Sequence, residues 1–314
     1  MTTHCEHEQK RAFSTFVSVV ICTYNRAHLL GRTLKSLAHQ TMSHEQFEVV
    51  VVDDGSQDDT AQVCKAMLGE LRNLRYVSTG KNVDLSRATN LGIQSARGGM
   101  LLFTDDDCVP ERDWAERMRL ALEQQSIVAG VVASPASNYI KLCHNIAEFH
   151  RFMPGRRGGN VEFIAGANMG IARSLLEKLG GFQEGRVLAG DMELILRARA
   201  KGYRVHLAPD AVVTHDPERT DLRTVFGYAA EHASKTILLR NEYRWLLRTP
   251  FVLRSPGLVL LAAPLIALNV TVAIYLTNFR LVRLFWTLPL VYALKLAWCW
   301  GAARGLREQK RAET

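Results

Sequence analysis

The chain has 314 residues, enough for one large hydrophobic core or two modest ones, and 22% of them are charged, as in ordinary globular proteins. Its formal net charge is +8, yet eleven of the 39 basic residues and only three of the 31 acidic residues lie from Arg240 onward. The first 239 residues are therefore neutral, with 28 of each kind. The basic pI is then no evidence for a nucleic-acid surface on the main domain, and we expect no nucleic-acid partner.

The N-terminus and the cysteines indicate the cellular compartment of the protein. Residues 1–15 are polar and charged, which predicts a disordered tail without a cleavable signal peptide. His4, Cys5 and His7 lie close together there, and a polar tail explains them better than a metal site. The six cysteines are scattered without a Cys-x-x-Cys pair, a pattern typical of reduced thiols in the cytosol.

Strand and helix patterns alternate along the first third of the chain. Short β-rich runs predict strands at 16–22, 47–52, 75–77 and 100–104, and apolar residues at helical spacing predict helices at 29–37, 60–71 and 85–96. Such alternation predicts an α/β domain with a doubly wound, mostly parallel sheet covered by helices on both faces. Ligands of such sheets bind beyond the carboxyl ends of the strands.

Polar clusters follow three of these four strands. The first, Thr23-Tyr24-Asn25-Arg26, offers hydrogen-bonding and stacking groups suited to a base and ribose, with a cation. In the second, Asp53 or Asp54 can accept a hydrogen bond from a ring N–H of uracil or guanine. The alternative for the second cluster is a turn with a helix-capping acid, which better explains Asp58 and Asp59. The sequence lacks Gly-x-Gly-x-x-Gly after the first strand and a P-loop motif, which disfavours both of those nucleotide sites.

The third cluster is the most informative one. An apolar run at 99–104 leads directly into Asp105, Asp106 and Asp107. Three acids at the end of a buried strand repel one another, and folding alone does not require them. A hard divalent cation does require them, since Mg²⁺ and Mn²⁺ prefer carboxylate and phosphate oxygens. The alternative is a solvated acidic turn before Pro110.

Several motifs in order resemble one protein family. The runs VSVVICTYNR, VVVDDGSQDDT and NVDLSRATNLGIQSARGGMLLFTDDD resemble family 2 of the inverting, nucleotide-sugar-dependent glycosyltransferases, which have the Rossmann-like A-type fold. The likeness covers roughly residues 16–215 and extends to membrane-associated bacterial members. Later, FIAGANMGIAR, GGF and AGDMELILRARAKGY resemble the acceptor-side segment of that family, where an acid at the start of a helix is the catalytic base.

The resemblance implies a role for each matching residue. The nucleotide-sugar site would comprise Cys22, Thr23, Tyr24, Asn25, Arg26, Asp53, Asp54, Arg87, Asp105 and Asp106. Within it, Tyr24 and Asp54 would hold the nucleobase, and Arg87 would assist near the phosphates. Asp105 and Asp107 would bind the divalent cation, Mg²⁺ or Mn²⁺. Two departures are Asp84, where relatives often have glycine, and Gly190, where many have a second acid.

The chemistry of an inverting transfer needs a base on the face of the sugar opposite the leaving diphosphate. Asp191, at the mouth of a predicted helix, suits that role, and a helix N-cap is a compatible alternative. His215 follows a predicted strand and either completes the metal site or is an ordinary surface or core residue. Gly166 and Asn168 lie in a turn that would face the acceptor, although Asn168 could instead bond the backbone.

The C-terminal quarter is apolar. Residues 255–279 carry no charge, which is long enough to cross a bilayer, and 281–300 form a second apolar segment. Basic residues flank the pair on both sides, which favours a two-helix transmembrane hairpin over 255–303 with both ends in the cytoplasm. Interfacial helices, or helices docked on the soluble domain, are the alternatives. We expect amphipathic, basic helices at 221–254 and a basic cytoplasmic tail at 304–314.

Together these features predict a metal-dependent inverting glycosyltransferase with a catalytic domain at 16–220, on the cytoplasmic face of the inner (plasma) membrane. It would move one sugar from a nucleoside-diphosphate sugar to a glycan or lipid-linked acceptor of the cell envelope, in contact with membrane lipid. Two other classes remain open. A sugar nucleotidyltransferase usually has a Gly-rich basic loop after its first strand, and a non-catalytic membrane-associated scaffold has no need for Asp105, Asp107 and Asp191 together.

Overall fold

The computed structural model describes residues 15–135, 138–185 and 188–313, so the predicted tail, with His4, Cys5 and His7, lies outside the described residues except for Thr15. The described strands are β1 (Val17–Thr23), β2 (Phe47–Asp53), β3 (Leu74–Ser78), β4 (Met100–Phe103), β5 (Cys108–Pro110), β6 (Ile127–Ala133), β7 (Gly159–Val161), β8 (Met169–Ala172) and β9 (Val205–His215). The described α-helices are α1 (Ala27–Ala38), α2 (Thr60–Met67), α3 (Leu85–Ser95), α4 (Trp114–Gln124), α5 (Tyr139–Phe149), α6 (Arg173–Leu179), α7 (Gly190–Ala200), α8 (Leu222–Glu242), α9 (Arg244–Leu247), α10 (Pro256–Thr277), α11 (Phe279–Val282) and α12 (Leu288–Glu313).

The described strands form one mixed sheet in the order β3-β2-β1-β4-β8-β6-β9-β5, with β7 also paired to β9. Strands β3, β2, β1 and β4 are parallel to one another, β8 is antiparallel to both β4 and β6, and β6 is parallel to β9. The predicted α/β architecture is confirmed. Every residue of β2 is buried, because helices cover this half of the sheet on both faces.

Strand register brings the polar clusters together at one edge of the sheet. Thr23 pairs with Asp53 at the carboxyl ends of β1 and β2, and the three acids follow β4, which also pairs with β1. On the far side, Cys108 of β5 pairs with His215 of β9. This pairing sets the end of β9 beside the acidic cluster.

The C-terminal helices α8, α10 and α12 pack together beside the sheet. Gly301 and Gly305 of α12 approach α8 so closely that an added Cβ would lie 2.0 Å from Ala230 O and 2.2 Å from Ser234 O. Lys295 Nζ also donates a hydrogen bond of 2.6 Å to Ala147 O of α5. Helix α12 is therefore docked on protein along much of its length.

These contacts correct the expectation of two transmembrane spans. Among the described residues one helix, α10, is long and apolar enough to cross a membrane. The second apolar segment is divided between α11, a 3₁₀ turn at Phe285–Thr287 and α12, which continues past Arg304 to Glu313. Hydropathy overestimated this segment because several of its apolar side chains, such as Val291 and Leu294, are buried against the protein.

Candidate active site

The acidic cluster follows β4. The side chain of Asp105 is exposed, whereas Asp106 and Asp107 are buried. One oxygen each of Asp105 and Asp107 and the sulfur of Cys108 lie within 4.8 Å of one another. Burial, assisted by the two acids, raises the pKa of the Cys108 thiol well above its usual value, so the sulfur remains protonated and is a poor ligand. The two carboxylates are the pair suited to a hard cation.

Negative charge is concentrated in this cluster. Although Asp105 is open to solvent on one side, desolvation by the surrounding protein raises its pKa to about 8, and the charges of Asp107, Asp106 and Asp191 add to this effect. Burial also raises the pKa of Asp107, with Arg26 acting against it. A bound divalent cation would reverse both effects by favouring the charged carboxylates.

The carboxylate of Asp106 is buried and held by two hydrogen bonds. Its Oδ2 accepts a hydrogen bond of 2.8 Å from Thr23 Oγ1, and its Oδ1 accepts one of 3.0 Å from the Arg26 guanidinium. Thr33 Oγ1 lies 2.8 Å from the main-chain oxygen of Asp106 and 2.6 Å from that of Cys108. Both oxygens of Asp106 are thus engaged within the protein, where the carboxylate anchors the turn carrying Asp105 and Asp107, and its contact with the donor stays a prediction. The hydroxyl of Thr23, predicted in the nucleotide-sugar site, is used in the hydrogen bond to Asp106.

His215 is held in one orientation by Asn145. The amide nitrogen of Asn145 donates to His215 O at 2.8 Å, so its Oδ1, 2.7 Å from His215 Nδ1, accepts a hydrogen bond from that ring nitrogen. Nε2 is then left with its lone pair. Burial lowers the pKa of His215 to about 3, with the positive charges of Arg219 and Arg26 contributing, so the ring is neutral. A neutral imidazole oriented through its other nitrogen is typical of metal ligands.

Asp107 and His215 meet through two acceptor atoms. Asp107 Oδ1 is buried, and it has no hydrogen-bond partner among the described residues. It lies 3.5 Å from His215 Nε2. A carboxylate oxygen and an imidazole lone pair that face each other are both satisfied by a cation between them. Asp105, Asp107 and His215 thus fit the predicted metal site, with Arg26 at 3.6 Å from Asp107 Oδ2.

Asp191 lies in the first turn of α7, near enough to Asp105 for its charge to raise the pKa of that carboxyl. Its Oδ2 accepts a hydrogen bond of 2.9 Å from the backbone N–H of Gly166, and its Oδ1 lies 2.7 Å from Met192 N. A Cβ added to Gly166 would lie 3.0 Å from Asp191 Oδ2. The structure therefore brings Asp191 and Gly166 together, and the charge of Asp191 acts on Asp105.

Asn168 requires a correction. Its side chain is fully buried, donates to Val131 O at 2.9 Å and Ala211 O at 3.0 Å, and accepts from Trp114 Nε1 at 2.9 Å. An acceptor cannot reach this side chain. Asn168 instead joins β6, β9 and α4 beneath the turn, in keeping with the backbone-bonding alternative.

Some residues of the predicted nucleobase site are held by hydrogen bonds within the protein, and others are open to solvent. Both oxygens of Asp53 accept hydrogen bonds, from Ser56 N at 2.8 Å and from Tyr76 Oη at 2.5 Å. These contacts are those of an acid that stabilises a turn, the alternative to a nucleobase contact. Asp54 Oδ1 accepts from Val83 N at 2.9 Å. Tyr24 is 45% exposed, and its ring remains open for stacking.

Two neighbouring residues shape the same loop region. Asn25, in the left-handed region at φ 53°, receives a hydrogen bond of 2.7 Å from Gln57 N and donates its own N–H to Ser56 Oγ. The sulfur of Cys22 lies 3.4 Å from Thr89 Oγ1 and is partly buried. Asp58, expected to cap the helix that begins at Thr60, accepts from Thr60 N at 3.1 Å, and its other oxygen accepts from Ala27 N at 2.9 Å, at the start of α1.

The loop before α3 explains the departure at Asp84. This residue adopts φ 115° and ψ 153°, a region that glycine occupies without strain. Its Oδ1 caps α3 by accepting from Ser86 N at 2.8 Å and Arg87 N at 3.2 Å. Arg87 itself bonds Glu184 through Nε at 2.8 Å, and its side chain is 56% exposed.

Two residues near the acidic cluster were not predicted from the sequence. Asn145 orients His215 from α5, and no local pattern marked it. Arg219 follows β9 by four residues, and its guanidinium lies 4.1 Å from the centre of the Tyr228 ring. Its charge opposes the burial that raises the pKa of Asp107. The position of Arg219, a cation shortly after the end of a predicted strand, could have indicated its place near the site.

Comparison with known proteins identifies the family to which the chain belongs. Residues 18–180 match the model of Glycosyl transferase family 2, and residues 102–300 match that of Glycosyl transferase family group 2. The chain therefore belongs to glycosyl transferase family 2. It is 27% identical over 202 residues to glycosyltransferase AglE of Haloferax volcanii, covering 64% of this chain and 66% of AglE. The chain spans about half to two thirds of the length of the first curated relatives it matches.

Two further proteins are similar. The glucosyl-dolichyl phosphate glucuronosyltransferase of Haloferax volcanii is 24% identical over 245 residues, covering 75% of this chain and 74% of that protein. The mannosyltransferase PcManGT of Pyrobaculum calidifontis, solved with GDP-Man and Mn²⁺, superimposes with a TM-score of 0.63 at 22% identity, covering 94% of this chain and 87% of that one. The latter likeness establishes the A-type fold.

Proposed function

We propose that this chain is an inverting glycosyltransferase that moves one sugar from a nucleoside-diphosphate sugar to a hydroxyl group with the help of a divalent cation. The observation that carries the proposal is the pair of acceptor atoms, Asp107 Oδ1 and His215 Nε2, that face each other beside Asp105. Family membership favours this activity over a nucleotidyltransferase or a non-catalytic scaffold. The GDP-Man and Mn²⁺ of PcManGT are the same classes of donor and cofactor.

In this proposal Asp105, Asp107 and His215 hold Mg²⁺ or Mn²⁺, which when bound neutralises the diphosphate of the donor and the charge that develops on it. Tyr24 stacks on the nucleobase. The nearby cations, Arg26 and Arg219, add positive charge beside the diphosphate. Burial of Asp106 against Thr23 keeps the acidic turn in place during the reaction.

Asp191 is proposed as the general base. The backbone N–H of Gly166 holds one of its oxygens, so the carboxylate keeps its direction while it accepts the proton of the acceptor hydroxyl. The acceptor oxygen then forms a bond to the anomeric carbon, and the bond from that carbon to the diphosphate oxygen breaks with its electron pair on the nucleotide. Attack opposite the leaving group inverts the configuration.

The acceptor is proposed to be a lipid-linked or cell-envelope glycan, met at the cytoplasmic face of the plasma membrane. One stripe of α10 is exposed, formed by Leu261, Leu265, Leu268, Val272 and Leu276. These side chains recur at helical spacing, as expected of a surface that contacts lipid. The relative named for glucosyl-dolichyl phosphate is in keeping with a lipid-linked acceptor.

The test uses the purified full chain with a panel of uridine and guanosine diphosphate sugars. With Mn²⁺ or Mg²⁺ we expect slow release of nucleoside diphosphate from one donor, and we expect EDTA to stop it. An absence of donor binding and of nucleotide release across the panel, with metal present, would contradict the proposal.

A further inference from the structure

A cavity of about 360 Å³ separates the catalytic domain from the C-terminal half of α10. The wall on the domain side carries His150, Arg151 and Arg156, together with one carboxylate, Glu162, and the ring of Phe163. The wall on the α10 side includes Asn269 and Thr277 among apolar residues. None of these residues belongs to the acidic cluster.

Positive charge exceeds negative charge around this cavity. Arg151 NH1 lies 3.4 Å from Glu162 Oε2, and Arg199 donates to the main-chain oxygen of the same glutamate at 2.8 Å. Arg156 NH1 donates to Thr277 O at 3.4 Å, and among the described residues no carboxylate forms an ion pair with it. Arg240 adds a fourth cation. Within the described chain these arginines share one nearby carboxylate, Glu162, which is itself largely exposed.

Two polar atoms beside the cavity lack hydrogen-bond partners in the described chain. Arg240 Nε and His150 Nδ1 are both buried and unpartnered. The guanidinium groups of Arg151 and Arg240 lie 4.8 Å and 5.5 Å from the centre of the same Phe163 ring. Burial lowers the pKa of Arg240 to about 10, and the charge of Arg151 contributes. An anion in the cavity would offset this excess of positive charge.

The surroundings favour a lipid as the carrier of that anion. The exposed stripe of α10 ends at Leu276, next to the cavity-lining Thr277 on the same helix. An acyl or prenyl chain can therefore lie on the stripe while its head enters the cavity. From Phe163 to Gly166, the partner of Asp191, the chain advances three residues, at most about 11 Å. A short sugar head can span that distance.

We propose that this cavity binds the phosphate group of a membrane lipid, through Arg151 and Arg156, and so seats the lipid end of the acceptor. The identification of the lipid as the acceptor rests on the proposed function. Binding of a lipid phosphate does not, and it can be measured separately.

The test compares binding of the full chain to phosphatidylcholine vesicles with and without phosphatidic acid, by co-sedimentation. The wild type should prefer the vesicles that contain phosphatidic acid. Arg151→Gln/Arg156→Gln should weaken this binding at least about tenfold, because two charge-assisted hydrogen bonds to phosphate are lost. The control Arg117→Gln/Arg283→Gln removes the same charge outside the cavity and should bind within about twofold of the wild type.

Three outcomes would overturn the proposal. The first is equal binding by the cavity variant and the wild type, and the second is an equal loss in the control, which would indicate general attraction to anionic lipid. The third is displacement of the chain from vesicles by soluble glycerol phosphate at concentrations that match the lipid phosphate, which would identify a free phosphate as the ligand. Nucleotide release by the wild type in the same preparation tests the glycosyltransferase proposal independently.

Discussion

Asp107 Oδ1 and His215 Nε2 lie 3.5 Å apart, a carboxylate oxygen facing the lone pair of a neutral ring nitrogen. Asp107 lies immediately before β5 and His215 is the last residue of β9, and the pairing of Cys108 with His215 in the sheet sets the two residues side by side. The main-chain N–H of Asp216 also donates to Asp107 O at 2.9 Å. The backbone pairing of the sheet therefore holds these two acceptor atoms next to each other.

Asp107→Asn should lower glycosyl transfer by about 100-fold or more, because an amide replaces a charged ligand at the metal site. Mn²⁺ binding, measured by calorimetry, should weaken in parallel. The folded state should not be destabilised, since the change removes a buried charge from a repelling cluster. Asp113→Asn, at a surface carboxylate paired with Arg117, is the control and should bind Mn²⁺ as the wild type does. Normal Mn²⁺ affinity in Asp107→Asn would exclude this site.

Asn145→Leu should weaken Mn²⁺ binding by about 10- to 100-fold although Asn145 does not face the cleft, because His215 then loses the acceptor for its Nδ1–H. Asn145→Asp keeps an acceptor at this position and should restore much of the affinity. A purely structural role would lower the unfolding temperature of both variants and leave the metal affinity of the folded fraction unchanged.

Gly166→Ala should slow transfer by displacing the Asp191 carboxylate, because the new Cβ would lie 3.0 Å from Asp191 Oδ2. Donor binding should remain near that of the wild type, so the loss is expected in kcat. The matched control is Gly69→Ala, where an added Cβ meets no atom within 4 Å. Asp191→Asn should reproduce the loss more severely with donor binding intact, and turnover retained in that variant would remove Asp191 from the role of base.

Asp84→Gly and Asp84→Ala separate backbone strain from capping. Both changes remove the cap of α3, but only alanine keeps a Cβ at φ 115°. The glycine variant should therefore be more stable than the alanine variant by roughly 1–3 kcal/mol in urea unfolding. Equal stabilities would show that this loop relaxes when the aspartate is removed.

The buried histidines should contribute most to stability near pH 6.5, the usual pKa of histidine in an unfolded chain, whereas the raised pKa of Asp105 favours the folded state at lower pH. Burial holds the pKa of His144 and His150 at about 3, so the unfolded chain takes up more protons as the pH falls from about 6.5 and the folded state loses stability. Burial alone would lower the pKa of His232, but Glu148, 2.9 Å away, outweighs it and raises that pKa. This stabilisation is complete below pH 6.5 and is lost as the pH rises through the raised pKa.

Urea unfolding across this pH range checks both limbs of the curve. His144→Gln should flatten the acid limb, because it removes one of the buried groups that cannot take up a proton while folded. A free energy of unfolding that rises steadily from pH 4 to pH 9 would contradict the assignment of these histidines.

Local patterns were enough to predict the sheet and the meeting of its polar strand ends. A run of β-branched residues followed by acids, as at β2, can be recognised from residues that are adjacent in the sequence. The direction of a side chain does not. Asp106 turns inward because Thr23 and Arg26 come from another strand, and Asn168 is buried because Trp114 reaches it from α4. Likewise, hydropathy cannot distinguish an apolar helix docked on α8 from one that faces lipid.

The glycine contacts between α12 and α8 have a mechanical consequence. Backbones that approach as closely as those at Gly301 and Gly305 allow little sliding, so α8 and α12 move as one body. With α10 in the bilayer, the height of Asp191 above the lipid surface is a property of that helix register. A slip of one turn would shift it by about 5.4 Å, enough to carry a tethered hydroxyl out of reach.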